Sequence, residues 1–82
     1  MNLKQYIRDI PDFPKPGILF RDITPLLYHQ ESFRYCVDAF VKRSKTMSPD
    51  VIVGVESRGF IFGSALAYEM RLPFVPIRKE GK

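Results

Sequence analysis

Eighty-two residues with 13 Lys and Arg against 9 Asp and Glu carry a formal charge of +4, and 45% of them are apolar, seven Phe and four Tyr included. A chain of this length makes one domain at most, and its apolar content is ample for a core, which excludes a disordered segment. It has no apolar run of the about 20 residues that a membrane span needs, its basic residues are too dispersed for a nucleic-acid face, and its single cysteine allows neither an internal disulfide nor a metal cluster.

In chain order, Leu3, Tyr6, Ile7 and Ile10 recur at three- and four-residue steps and predict a short amphipathic helix that Pro11 ends. Lys4, Arg8 and Asp9 interrupt those apolar residues, so the start lacks the continuous stretch of a signal peptide, and the cytoplasm is the expected compartment. Between Pro11 and Gly17 three prolines fix φ and withhold donors, which reads as an extended connector; Ile18, Leu19 and Phe20 then read as a short strand. Thr24 followed by Pro25 predicts a helix start, with a capping hydroxyl and then a proline whose missing N–H costs nothing at the first position.

From Glu31 to Lys45, Phe33, Cys36, Val37, Phe40 and Val41 share one helical face, opposite Arg34, Asp38, Lys42 and Lys45. On that face Cys36 is a small core hydrophobe with no base nearby to activate it. His29 lies in a polar turn with no ligand-spaced partner and is expected at the surface, serving neither metal nor triad chemistry.

Met47 to Asp50 is a turn, after which Val51 to Val55 forms the unbroken, β-branched run of a parallel strand buried on both faces. Glu56 to Gly59 interrupts it. Phe60 to Met70 returns to helical spacing, Arg71-Leu72-Pro73 closes the helix, and Phe74 to Ile77 is a second strand, which Pro76 restricts to an edge or an end. Strand, loop, helix and strand make a βαβ unit, so the fold class is α/β.

Ligands in open α/β sheets bind beyond the carboxyl ends of the strands, which makes Glu56-Ser57-Arg58-Gly59 the leading site. The N–H groups and positive dipole end of the next helix open into that loop, and Arg58 adds forked donors for oxygen pairs, a combination suited to phosphate. On the residues alone this reading stands level with one in which Arg58 merely pairs with Glu56. Arg78, Lys79 and Lys82 leave the end of the second strand on the same ligand side, or form a solvated tail. Phe20-Arg21-Asp22 could stack on a flat heterocycle and read its edge, although composition alone favours a core Phe20 beside an Arg21–Asp22 pair. No two acids are placed for general acid and base work.

Three blocks carry a family pattern in order and spacing: Asp12-Phe13-Pro14-Lys15-Pro16-Gly17-Ile18-Leu19-Phe20-Arg21-Asp22-Ile23-Thr24, then Glu56-Ser57-Arg58-Gly59-Phe60-Ile61-Phe62-Gly63, then Pro76-Ile77-Arg78-Lys79-Glu80-Gly81-Lys82. Together they resemble the adenine phosphoribosyltransferases. The resemblance implies the N-terminal portion of a type I phosphoribosyltransferase fold, a parallel sheet with flanking helices, in which residues 1–82 are part of a single domain. It further implies transfer of ribose 5-phosphate from phosphoribosyl pyrophosphate to N9 of adenine, giving AMP and pyrophosphate with Mg²⁺, in a cytoplasmic homodimer.

By position, the resemblance gives Leu19, Phe20 and Arg21 to adenine, with Phe20 on the ring. It gives Ser57, Arg58, Gly59, Arg78, Lys79 and Lys82 to the pyrophosphate, with a non-proline cis peptide near Glu56-Ser57. The family's hood loop with its catalytic acid, and its ribose-phosphate motif of two acids and a Thr-Gly-Gly-Thr turn, have no counterpart in these residues, so no catalytic or metal-binding residue is assigned and the chain alone is expected to be inactive. Two other functions fit the same blocks: a xanthine or other 6-oxopurine phosphoribosyltransferase, and a non-catalytic nucleotide-binding paralogue.

Overall fold

A computed structural model describes residues 1–80, so Lys82 of the expected pyrophosphate set lies outside the described residues. The chain divides into two compact units, Met1–Cys36 and Val37–Lys82.

In the first unit, a 3-10 turn over Leu3–Tyr6 is capped by the Asn2 side chain, which accepts the Lys4 N–H at 3.1 Å. The predicted helix goes no further. Strand β1 (Arg8–Pro11) pairs antiparallel with β2 (Leu19–Asp22), placing Ile10 opposite Phe20 and Arg8 opposite Asp22. A helix of some eight residues is marginal by itself, and Pro11 disfavours helical φ/ψ at Ile10. The ladder offered by β2 therefore wins.

The connector between these strands turns back instead of extending. Gly17 N–H donates to Asp12 Oδ1 at 2.9 Å, Phe13 N–H to the Ile18 carbonyl at 3.1 Å, and the Phe13–Pro14 bond is cis. Its geometry requires φ of +87° at Gly17, a conformation glycine adopts without penalty.

Helix α1 (Thr24–Tyr28) starts at the expected place with a different cap. Thr24 gives both its N–H and its hydroxyl to Asp22 Oδ1, at 2.9 and 2.6 Å, so the hydroxyl donates where it was expected to accept. Leu26 is buried, and the fully buried Ser32 hydroxyl bonds the carbonyls of Leu26 and His29, each at 2.8 Å. His29 is half-buried, not a surface residue: its ring stacks on Tyr6 with centroids 4.6 Å apart, and its Nδ1 accepts the Ser32 N–H. Helix α2 (Gln30–Lys45) begins there, with Glu31 in its first turn and Lys42, Arg43 and Lys45 in its last, each sign complementing the helix dipole. Cys36 is half-buried within it, and that burial pushes its thiol pKa up.

In the second unit, β3 (Ile52–Val55) and β4 (Phe74–Ile77) pair in parallel, Ile52 beside Phe74 and Val55 beside Ile77. Helix α3 (Arg58–Met70) joins them and packs on one face, where Gly54, Gly63, Leu66 and Ala67 are buried. Arg71 takes left-handed φ/ψ to end α3, and Leu72 N–H reaches back to the Ala67 carbonyl at 2.9 Å before Pro73 begins the approach to β4. Burial of β3 on both faces, which its unbroken apolar run suggested, is not found: Val53 is 51% exposed and Val55 56%. Alternate residues of a strand face opposite ways, and α3 shields only the side of Gly54.

Candidate functional site

β3 and β4 run in parallel, so the segments that follow them leave at the same carboxyl end of the pair. Ser57, Arg58 and Gly59 follow β3, and Arg78 and Lys79 follow β4. α3 starts at Arg58, one residue ahead of the expected Gly59, and its N-cap residue Ser57 makes no side-chain cap bond. The first-turn N–H groups of a 13-residue helix thus open beside Arg58 with no hydroxyl placed across them. Both Ser57 and Arg58 are exposed, and the Glu56–Ser57 peptide bond is cis.

Two hydrogen bonds bring these loops together. Glu56 N–H donates to the Ile77 carbonyl at 3.0 Å, carrying the ladder one residue past β3, and Lys79 N–H donates to the Glu56 carboxylate. This use of Glu56 escaped the sequence reading, which weighed only a pair with Arg58. The one available signal was an acid in a loop whose other charged residue is Arg58.

Glycines set how closely helix and strand approach. A β-carbon on Gly54 would lie 2.5 Å from the Gly59 carbonyl oxygen, so the start of α3 rests directly on the β3 backbone. An apolar groove of about 220 Å³ runs along β3 among Phe40, Val53, Phe62 and Leu66. It holds no charged side chain and is not the place for an anion.

Leu19, Phe20 and Arg21, the expected base-side residues, lie on β2 in the first unit. Leu19 and Arg21 face outward, the Arg21 side chain 71% exposed, whereas Phe20 is half-buried with the Phe13 ring edge-on to it at 5.2 Å and 66°. Asp22 pairs with Arg8, and the Arg21 Nε lies 3.9 Å from Asp9 Oδ1. Two bonds from Thr24, its hydroxyl first and then its amide, together with the Arg8 guanidinium, hold the Asp22 carboxyl at a pKa of about 2. Phe13, Arg8 and Asp9 are thus neighbours, not singled out by spacing alone, of the strand expected to hold the base.

Among the described residues no three His, Cys, Asp or Glu side chains cluster to hold a metal ion, and no helix is long and apolar enough to cross a membrane.

With its parallel β3–β4 pair, covering helix and loop at the strand ends, the chain has the α/β fold of the N-terminal portion of a type I phosphoribosyltransferase. No protein-family model matches it. It is 60% identical, over all of its length, to the adenine phosphoribosyltransferase of Acaryochloris marina, of which it covers 48%. The solved adenine phosphoribosyltransferase of Rhodothermus marinus superposes with a TM-score of 0.87 at 50% identity, over 98% of this chain and 46% of that one. The Saccharomyces cerevisiae enzyme, solved with an imino-altritol bisphosphate and adenine, gives 0.88 at 42%, over 98% and 50%. The chain is similar along its whole length to the N-terminal half of the adenine phosphoribosyltransferases, and it spans about half the length of the curated relatives it matches.

Proposed function

We propose that this chain supplies the base-holding and pyrophosphate-holding parts of a purine-salvage enzyme that transfers ribose 5-phosphate from phosphoribosyl pyrophosphate to N9 of adenine, releasing AMP and pyrophosphate. The observation that carries this reading is the shared carboxyl end of β3 and β4, from which the segment with Arg58 at the N-terminus of α3 and the segment with Arg78 and Lys79 both leave, tied together through Glu56. Ser57, Arg58, Gly59, Arg78, Lys79 and Lys82 hold the leaving group, and its developing charge is met by fixed donors. Leu19, Phe20 and Arg21 hold the base, the Phe20 ring stacking on it while backbone groups of β2 read its edge. The yeast relative, solved with adenine, supports the choice of base.

Mg²⁺ is a hard ion that takes oxygen ligands. The only carboxylate in the loop after β3 is Glu56, already engaged by the Lys79 amide. No carboxylate of this loop is left to hold the ion, which would enter with the substrate's phosphate oxygens and offset part of their charge. Resemblance supports a homodimer, and the lone cysteine supports the cytoplasm.

A coupled assay for AMP on a protein of the relatives' full length tests the proposal, with adenine, hypoxanthine and xanthine offered in competition. Adenine-dependent AMP formation is expected, and Arg58→Ala should raise the KM for phosphoribosyl pyrophosphate while sparing that for adenine. Preference for an oxopurine, or binding of both substrates with no AMP, would favour the other two functions.

A further inference from the structure

We propose that Glu56 is a positioning residue of the anion site, whose carboxylate holds the segment leaving β4 against the loop leaving β3 by accepting the Lys79 amide hydrogen. The inference rests on the reading of these two segments as the pyrophosphate-binding part of a transferase.

The ladder between the strands ends at Val55 and Ile77. Beyond it, Glu56 engages the other strand's exit twice: its N–H donates to the Ile77 carbonyl, and its side chain receives the Lys79 N–H, 23 positions away in sequence. Arg78 and Lys79 are both exposed, so the bond to Glu56 fixes a stretch of backbone that carries two of the proposed anion contacts. An unfixed stretch would have to be ordered when the ligand binds, at a cost in conformational entropy that weakens affinity.

Electrostatics points the same way. A carboxylate beside Arg58, Arg78 and Lys79 subtracts from the field that draws in a polyanion. The charge of Glu56 thus works against binding, and its contribution is the placement of an acceptor oxygen. Gln offers an oxygen at the same reach without the charge. Asp keeps the charge and falls one methylene short.

The test compares the parent protein, at the relatives' full length, with E56A, E56D and E56Q. Pyrophosphate affinity is measured by calorimetry, and the KM values for phosphoribosyl pyrophosphate and adenine by steady-state kinetics. E56A and E56D should weaken pyrophosphate binding and raise the KM for phosphoribosyl pyrophosphate by about ten- to hundredfold, the range of one lost hydrogen bond to a charged acceptor. The KM for adenine should stay within about twofold and E56Q within about threefold of the parent on every measure, both margins lying well below that range.

An E56A protein that binds pyrophosphate like the parent overturns the inference. So does the reverse pattern, E56D intact and E56Q impaired, which would give the role to the charge. Equal loss for adenine and phosphoribosyl pyrophosphate in all three variants overturns it too, by assigning Glu56 to the fold at large. A parent that binds pyrophosphate but forms no AMP would sink the enzymatic reading instead, and the binding series would still decide the place of Glu56.

Discussion

The ring of Phe74 fills the space over Gly63 into which a β-carbon would project, its Cε1 lying 2.5 Å from that point. The same ring stands 2.7 Å from where a β-carbon of Gly54 would be, and the Gly59 carbonyl 2.5 Å from it. A strand residue, a helix residue and an aromatic ring thus close the interface beneath the candidate anion loop.

Gly54→Ala should therefore cost about 2 to 3 kcal/mol, the upper part of the overpacking range, because one of the obstructing atoms is backbone. Gly63→Ala should cost less, since a side chain yields more easily and helix propensity returns about 1 kcal/mol. Urea unfolding of both variants checks the order. A Gly54→Ala protein with the parent's midpoint would show that α3 can lift off β3 freely.

Asp22 gives a pH prediction with a definite sign. Its carboxyl falls from 3.8 to about 2 in the folded chain, the Thr24 hydroxyl being the largest cause, followed by the Thr24 amide and Arg8. A depressed folded pKa stabilises the ionised form, so the contribution is fully present above 3.8 and is lost as pH falls through about 2. Unfolding midpoints of the parent and Asp22→Asn should differ at pH 6 and converge across that window. A gap that persists below it would place the effect of Asn in packing.

Much of this arrangement is legible in the residues, and where it is not the reason is physical. The period of the apolar positions is enough for α2 and α3, and a β-branched run between turns is enough for β3. Leu3, Tyr6, Ile7 and Ile10 mislead, because a 3-10 turn followed by a strand presents nearly the same spacing as one short helix. Only the pairing partner, Phe20 opposite Ile10, settles which forms, and it lies across a loop of three prolines. The bond between Glu56 and Lys79 is hidden for a similar reason, since β3 and β4 must pair before these residues meet. The apolar run of β3 promises burial on two faces, while the burial itself depends on what lies against each face.

For Phe20, stacking on a base is worth about 1 to 3 kcal/mol by alanine substitution. Phe20→Ala should accordingly raise the KM for adenine roughly five- to hundredfold in a protein of the relatives' full length. The KM for phosphoribosyl pyrophosphate should change little, and Phe20→Tyr should restore the base affinity. Equal loss for both substrates would mean that Phe20 serves the hairpin, where its ring meets the edge of Phe13.

Val53, Val55, Val75 and Ile77 form one exposed apolar face on two neighbouring strands, each between 47% and 56% accessible. A contiguous face of this kind on isolated protein drives association. The 82-residue chain by itself should self-associate in sedimentation, and Val53→Lys with Val75→Glu, an opposite-charge pair directly across the ladder, should shift it toward monomer. In a protein of twice the length, further structure covering the same face would bury those two charges and reverse the sign, so the double variant should lose stability there. A full-length protein indifferent to the pair would show that the face stays open to solvent, and a monomeric parent fragment would show that the exposed valines are too few to drive association.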